Sequence, residues 1–424
     1  MQIQLMPHQD KALDQTEPFN RVAYYLDMGL GKTFVGSEKM AKLGATRNLV
    51  VCQKTKVPDW MDHFKTYYPD AVTYDMTDPF QFNTYVSSNG DPVIGVVNYD
   101  LIFRRPILKE FRNITLLLDE SSLIQNESAK RSKFVLGMKP ENVILLSGTP
   151  TGGKYERLWS QLHLLGWDIS KDLYWKQYIE TEWTETDQGF FRKDVVGYKN
   201  VDRLKKKLAD HGAVFMKSED AGVHLPEQTF VHVRVKTPSE YWTFAKRRLI
   251  TVDGHELVGD TILTARLYSR QLCGLYNAAR YEAFMDLVES TDDRVIVFYN
   301  FTDEMNRMRE LLDGTRPISV INGEGSDLTA YESFGNAITF VQYQAGAMGV
   351  NLQKANKTIY FSLCEGSELF EQSKARTHRI GQAQPCFYYI LECPNTLEED
   401  IWDTLQMRKD YTDELFQKYQ KTHI

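Results

Sequence analysis

Leu26-Asp27-Met28-Gly29-Leu30-Gly31-Lys32-Thr33 constrains this chain more than any other stretch. It follows the apolar run 22–26 and precedes a helix-like segment at 34–43. Strand, glycine turn, Lys-Thr and helix is the layout of a phosphate-binding loop. Glycines there let backbone N–H groups close around phosphates at the positive end of a helix dipole. In that layout Lys32 reaches the β- and γ-phosphates, and the Thr33 hydroxyl holds Mg²⁺. The strict pattern has Gly where this chain has Leu26, so an ordinary glycine turn is the alternative.

The apolar runs that follow bear on that choice. Residues 48–52, 93–97, 115–118 and 143–146 read as buried strands, with helical stretches between them and polar residues just after them. That alternation predicts a parallel α/β sheet with its site along one edge. Lys54 and Asn98 fall at such strand ends. Trp60 and Phe64, four apart, share a helix face and read as core packing. The run 115–118 leads straight into Asp119-Glu120, a strand delivering two carboxylates to its end. Phosphoryl transfer needs a metal ligand and a group that positions water, roles suited to Asp119 and Glu120. Ser147-Gly148-Thr149-Pro150 ends the next strand and is equally compatible with a plain turn. Upstream, the amide of Gln9 could both donate to and accept from an adenine edge, although such a residue is commonly solvated.

Between 154 and 222 the pattern becomes aromatic and charged, and it reads as a helical insertion. A boundary is expected near Gly222. A second strand series then follows at 230–235, 294–299, 318–321, 337–341, 358–361 and 386–391, with no glycine phosphate loop of its own. Lys246-Arg247-Arg248 is a basic cluster of unassigned use. The segment 344–352 is small and glycine-rich, directly after a strand. The segment 371–382 reads as a helix ending at Gly381, which would put Arg376 and Arg379 on one face. An arginine supplied from outside the phosphate loop can stabilise the transferring phosphoryl group, worth roughly 10³–10⁵ in rate. A basic surface helix is the alternative.

A chain of 424 residues has room for two or three cores at roughly 100–200 residues each. No window approaches the ~20 apolar residues of a membrane span, and residues 1–4 do not begin a secretory signal. The five cysteines are scattered without a Cys-x-x-Cys pair, so a reducing cytoplasm is expected, of the cell itself or of a viral host. The net charge of −7 argues against wholesale electrostatic binding of nucleic acid and leaves only local basic grooves.

Taken together, the motifs form a set: Leu-x-Pro-x-Gln (5–9), Asp-Met-Gly-Leu-Gly-Lys-Thr (27–33), Leu-Asp-Glu (118–120), Ser-Gly-Thr-Pro (147–150), Val-Phe-Tyr-Asn-Phe (297–301), Ala-Gly-Ala-Met-Gly-Val-Asn-Leu (345–352) and Gln-x-x-x-Arg-x-His-Arg-Ile-Gly-Gln (372–382). This set resembles the superfamily 2 helicase motor, Swi/Snf-type branch of double-strand DNA translocases, over essentially the whole chain. That branch does not keep the first glycine, so Leu26 fits it.

The resemblance implies two RecA-like α/β lobes, each a mainly parallel sheet flanked by helices. The first would span 1–222 with its helical insertion, and the second 223–424 with the arginine fingers. ATP and Mg²⁺ are the implied cofactors. Gln9, Met28, Gly29, Leu30, Gly31, Lys32, Thr33 and, from the second lobe, Gly349 would contact the nucleotide. Thr33 and Asp119 would hold the metal. Lys32, Asp119, Glu120, Arg376 and Arg379 would be catalytic, and Ser147 with Thr149 would couple hydrolysis to motion. Lys54, Asn98, Asn300 and Gln344 would meet nucleic acid, with duplex DNA the implied partner of a monomeric motor.

Four departures from the family pattern stand out. Ser121-Ser122 replaces a small residue and His after Asp-Glu, Met6 replaces an Arg, Gln342-Tyr343 replaces Ser-Thr, and Leu363-Cys364-Glu365-Gly366 replaces a tryptophan-rich segment. The expected activity is ATP-dependent movement along duplex DNA, since little of the chain falls outside the motor motifs. A strand-separating DNA or RNA helicase is the enzymatic alternative. A nucleotide-gated remodeller of a protein such as RNA polymerase is the alternative from another class.

Overall fold

In the computed structural model, which describes residues 4–88, 92–185, 190–346 and 350–416, the apolar runs become buried strands. The chain divides into two compact units, one running to Val223 and resuming at Asp410, the other His224–Lys409.

The first unit contains β1 (Arg21–Leu26), β2 (Arg47–Cys52), β3 (Val72–Asp75), β4 (Val93–Asn98), β5 (Ile114–Asp119) and β6 (Asn142–Ser147). A hairpin of β7 (Ile179–Glu185) and β8 (Phe191–Tyr198) precedes β9 (Ala213–Met216). Seven strands form one sheet in the order β3-β4-β2-β5-β6-β1-β9, and every pairing in it is parallel. Alternation along each strand builds two cores. Ala23, Tyr25, Leu116, Leu118 and Leu145 face one way, while Val22, Tyr24, Leu26, Leu117 and Leu146 face the other, as the two-residue period of a strand requires. Helix Lys32–Leu43 covers the second face. Gly36 permits its close approach, because a Cβ there would lie 2.9 Å from Leu146 and 3.2 Å from Leu117.

The topology positions the site. β6 lies between β5 and β1, so the ends of these three strands, at Leu26, Asp119 and Ser147, are neighbours on one edge of a parallel sheet. That edge is where open α/β sheets bind ligands.

The second unit contains β10 (Gln228–Arg234), a small hairpin of β11 (Leu249–Val252) and β12 (His255–Val258), then β13 (Val295–Tyr299), β14 (Ile318–Asn322), β15 (Gly325–Asp327), β16 (Ile338–Gln342), β17 (Lys357–Tyr360) and β18 (Cys386–Glu392). Its sheet runs β10-β18-β17-β13-β16-β14-β15 and is parallel except for the antiparallel edge strand β15. Two mainly parallel α/β lobes flanked by helices are therefore present, as the strand pattern predicts.

Three features differ from the sequence reading. The stretch 154–222 is not wholly helical, since it also holds the β7–β8 hairpin and β9, which joins the main sheet beside β1. The chain from Asp410 groups with the first unit rather than the second. Aromatic packing accounts for this: Tyr198 and Tyr411 meet edge to face at 4.7 Å, the Tyr155 hydroxyl donates to the Tyr411 carbonyl at 2.6 Å, and Lys217 pairs with Asp413 at 2.8 Å. Finally, the helix before Arg376 is Ser367–Lys374, so Arg376 and Arg379 lie beyond its end and not on a helix face.

Candidate functional site

The glycine loop turns because Gly29 and Gly31 adopt positive φ, 88° and 72°, a conformation open to glycine at no steric cost. Gly31 caps helix Lys32–Leu43. The amide of Gln9, itself buried, donates to the Leu30 carbonyl at 3.1 Å and accepts from Met6 N at 2.9 Å. A Cβ on Gly31 would meet that amide at 2.2 Å. Gln9 therefore packs directly on the loop. The Leu30 side chain goes into the core, whereas Met28 is partly exposed. The Lys32 ammonium donates to the carbonyls of Leu26 and Asp27 at 2.9 and 3.2 Å. Asp27 in turn accepts from Ser218 N and Oγ at 3.0 and 3.3 Å, which ties the loop to the segment after β9. Burial raises the Asp27 carboxyl against these bonds and the Lys32 charge.

Two strands away, Asp119 and Glu120 end β5. Trp60 Nε1 donates to Asp119 Oδ2 at 2.8 Å, so this tryptophan belongs to the core and also orients a site carboxylate. Its pairing with a residue 59 positions away carries no local signal. Glu120 has φ 57°, left-handed for a residue with a side chain. Its Oε1 accepts from Ser147 Oγ at 2.6 Å and Ser122 Oγ at 3.1 Å. Ser147 Oγ also accepts from Thr149 N at 3.1 Å, so the Ser-Gly-Thr-Pro turn is fastened to the acid pair. Ser121 instead donates to Gln161 at 2.8 Å, and Gln161 Nε2 donates to the Pro150 carbonyl at 2.7 Å. Desolvation raises both carboxyls. The Trp60 bond and the Lys56 and Lys32 charges oppose it at Asp119. The Ser147 bond and Lys32 oppose it at Glu120.

This edge combines a loop of backbone N–H groups at a helix N-terminus, an ammonium, a hydroxyl (Thr33, partly exposed in the first helical turn) and two carboxylates. The N–H groups and ammonium suit a polyphosphate. Hydroxyl and carboxylate oxygens suit a hard divalent cation. A Cβ on Gly148 would sit 3.2 Å from the Lys32 ammonium, so the third strand end is kept bare beside it.

In the second unit, the arginine segment is a fastened loop. Gln382 Nε2 donates to the carbonyls of Gln353, Ala355 and Thr377 at 3.1, 2.9 and 3.3 Å. The His378 ring bridges the Pro226 carbonyl at 2.7 Å and the Gln228 amide, and Thr377 is buried. These contacts pull the chain out of the helix after Lys374. Arg379 donates to Asn351 Oδ1 and is depressed by burial; the Arg376 carbonyl accepts from Leu352 N at 3.0 Å. Gly349 lies outside the described residues.

The four residues expected to meet nucleic acid are placed differently from one another. Lys54 and Gln344 are exposed. Asn98 is buried at the end of β4. Asn300 Nδ2 donates to Ser362 O, Ser362 Oγ and Leu363 O at 3.0, 2.9 and 3.1 Å, so its amide N–H groups fix the chain after β17. Arg270, Tyr299, Asn300, Gln342, Tyr343 and Gln344 help line a cavity of about 220 Å³ within this unit. Among the described residues no helix is long and apolar enough to cross a membrane.

Comparison with known proteins gives two successive family matches along the chain. A model of the SNF2-related domain matches residues 25–260, and one of the helicase conserved C-terminal domain matches residues 279–381. The mouse SWI/SNF-related matrix-associated actin-dependent regulator of chromatin subfamily A member 1 is 23% identical over 90% of this chain and 40% of its own length. The ATPase of the ISWI chromatin-remodeling complex of Saccharomyces cerevisiae is 23% identical over 96% of this chain and 40% of its own. The chain thus spans about 40% of the length of these relatives. A solved Sulfolobus solfataricus SWI2/SNF2 ATPase core in complex with dsDNA is similar at 20% identity, covering 98% of this chain and 94% of that one, with a TM-score of 0.48.

Proposed function

This chain belongs to the SNF2-related family, whose domain model covers more than half of it, and from that premise we propose that it is a motor that hydrolyses ATP to move along duplex DNA. The observation that carries the reading is the network joining three adjacent strand ends. Lys32 sits on the carbonyls after β1, Asp119 and Glu120 end β5, and Ser147 at the end of β6 binds Glu120. A phosphate loop, an acid pair and a turn bonded to that pair are what phosphoryl transfer coupled to movement requires.

Each residue has a role in this proposal. Backbone N–H groups at 29–33 and the Lys32 ammonium bind and orient the β- and γ-phosphates. Gln9, packed on the loop, reads the base. Thr33 and Asp119 would hold Mg²⁺, which when bound neutralises phosphate charge. Glu120 positions the attacking water and takes its proton, a task favoured by a carboxyl raised through desolvation. Ser147 senses the charge on Glu120 and passes it to the Thr149 backbone. The family resemblance assigns Arg376 and Arg379 to charge on the transferring phosphoryl group, and Gly349 to the nucleotide. Lys54, Asn98 and Gln344 are assigned to backbone phosphates, as suits a motor that must step along any sequence; Asn300 fixes the chain after β17.

ATP turnover measured with duplex DNA, single strands, RNA or no nucleic acid tests the proposal. Stimulation by duplex is expected, and Lys32→Ala should remove at least about 10²-fold of the turnover, as expected on loss of a phosphate-stabilising cation. Stimulation by single strands alone would replace it with a strand-separating helicase. Stimulation by a protein and by no nucleic acid would replace it with a protein remodeller.

A further inference from the structure

All five cysteines are free and buried, and two of them meet in the second unit. Cys273 ends helix Ile262–Cys273, and Cys393 directly follows β18. Their sulfurs and a Glu398 carboxylate oxygen all lie within 4.8 Å of one another. The Cys393 thiol donates to the Cys273 carbonyl at 3.8 Å, and its sulfur accepts from Asn277 Nδ2 at 3.3 Å and Arg280 Nη2 at 3.5 Å. Arg280 is fully buried and paired with Glu398. A guanidinium and an amide donor aimed at one sulfur favour its thiolate. The same guanidinium cannot be discharged by losing a proton, so it opposes a second cation, such as a metal ion, among these groups.

We propose that Cys273 and Cys393 form an oxidant-sensitive dithiol that a small peroxide converts to a disulfide. A side-chain hydrogen bond from the Cys273 thiol to the Cys393 sulfur and the Arg280 charge pull the Cys393 thiol below its ordinary range, whereas that side-chain bond and burial push Cys273 up. This asymmetry assigns the order of attack. The Cys393 thiolate attacks one peroxide oxygen, breaking the O–O bond; the released hydroxide takes a proton and leaves as water. The Cys273 sulfur then attacks the resulting sulfenic sulfur, breaking its S–O bond, and its proton leaves with the hydroxyl as a second water. One peroxide is reduced to two waters while two thiols are oxidised to one disulfide. Burial restricts the oxidant to a small uncharged molecule. The bond would tie the exit of β18 to the end of helix Ile262–Cys273.

The full chain treated with hydrogen peroxide, quenched and then unfolded for thiol titration tests this. The five thiols are expected to fall by two, with peptide mapping joining the segments that carry Cys273 and Cys393. In Cys273→Ser the reaction should stop at a Cys393 sulfenic acid, trapped when the peroxide-treated, quenched chain is unfolded in dimedone. If that variant does not fold, mapping of the unaltered chain decides alone. Persistence of all five thiols would overturn the proposal, as would linkage through Cys52, Cys364 or Cys386, or one equivalent of zinc bound by these thiols in the purified chain.

Discussion

Glu120 occupies a backbone conformation that side chains resist, with φ 57°, at a cost on the order of 1 kcal/mol or more. Its carboxylate is gripped by two serine hydroxyls beside a second carboxylate. Desolvation raises both acids. A carboxyl raised in the folded state favours folding below the ordinary carboxylate range, and that contribution is lost as pH rises through the raised value. Above the raised values the free protein therefore carries the cost of burying carboxylate charge. Glu120→Gln is expected to stabilise the nucleotide-free chain by about 0.5–2 kcal/mol near pH 7.5, with the gain shrinking toward pH 4, while turnover falls by roughly 10²–10⁴. Thermal melts at the two pH values check the sign; a variant less stable at pH 7.5 than at pH 4, relative to the parent, would refute this account of the acid pair. Asp119-Glu120 could be picked out in the sequence because an apolar strand points at it. Trp60, Asp27 and Gln161 could not, because each acts through a partner far along the chain.

At the scale of elements, period and chemistry were readable where a strand or helix is set by its own residues. Helix Lys32–Leu43 begins at a left-handed glycine and ends at another, Gly44, and both are visible in the sequence. The close seating of this helix predicts that Gly36→Leu, which must displace Leu146 and Leu117, destabilises the first unit by about 1–3 kcal/mol, measurable as a lowered melting temperature. The arginine segment shows the opposite case. Residues 375–379 continue a helical pattern, yet Thr377 and His378 are drawn to Tyr388, Pro226 and Gln228, and tertiary bonds override local preference. Gln382, with three hydrogen bonds to carbonyls, holds that loop. Gln382→Ala is expected to lose about 1–3 kcal/mol of stability and to lower kcat for ATP more than it raises KM. A change confined to KM would mean that the loop positions nothing used in turnover.

For the whole molecule, two α/β sheets were legible because each strand is a buried apolar run followed by polar residues. β15, β11 and β12 were not, being short and exposed pieces whose pairing depends on neighbours. The grouping of the chain from Asp410 with the first unit was also hidden, because it rests on Tyr155, Tyr198 and Lys217, all about 200 residues or more upstream. With a net charge of −7, binding to DNA must come from local contacts, and its affinity should fall with salt by the few phosphates those contacts neutralise. The central claim is movement along an intact duplex. The most direct measurement is ATP-dependent displacement of a labelled third strand bound to fully paired DNA. Release by the parent chain with ATP, and none by Lys32→Ala or without ATP, is the predicted result; DNA-stimulated hydrolysis without release, or release only beside a single-stranded gap, would contradict it.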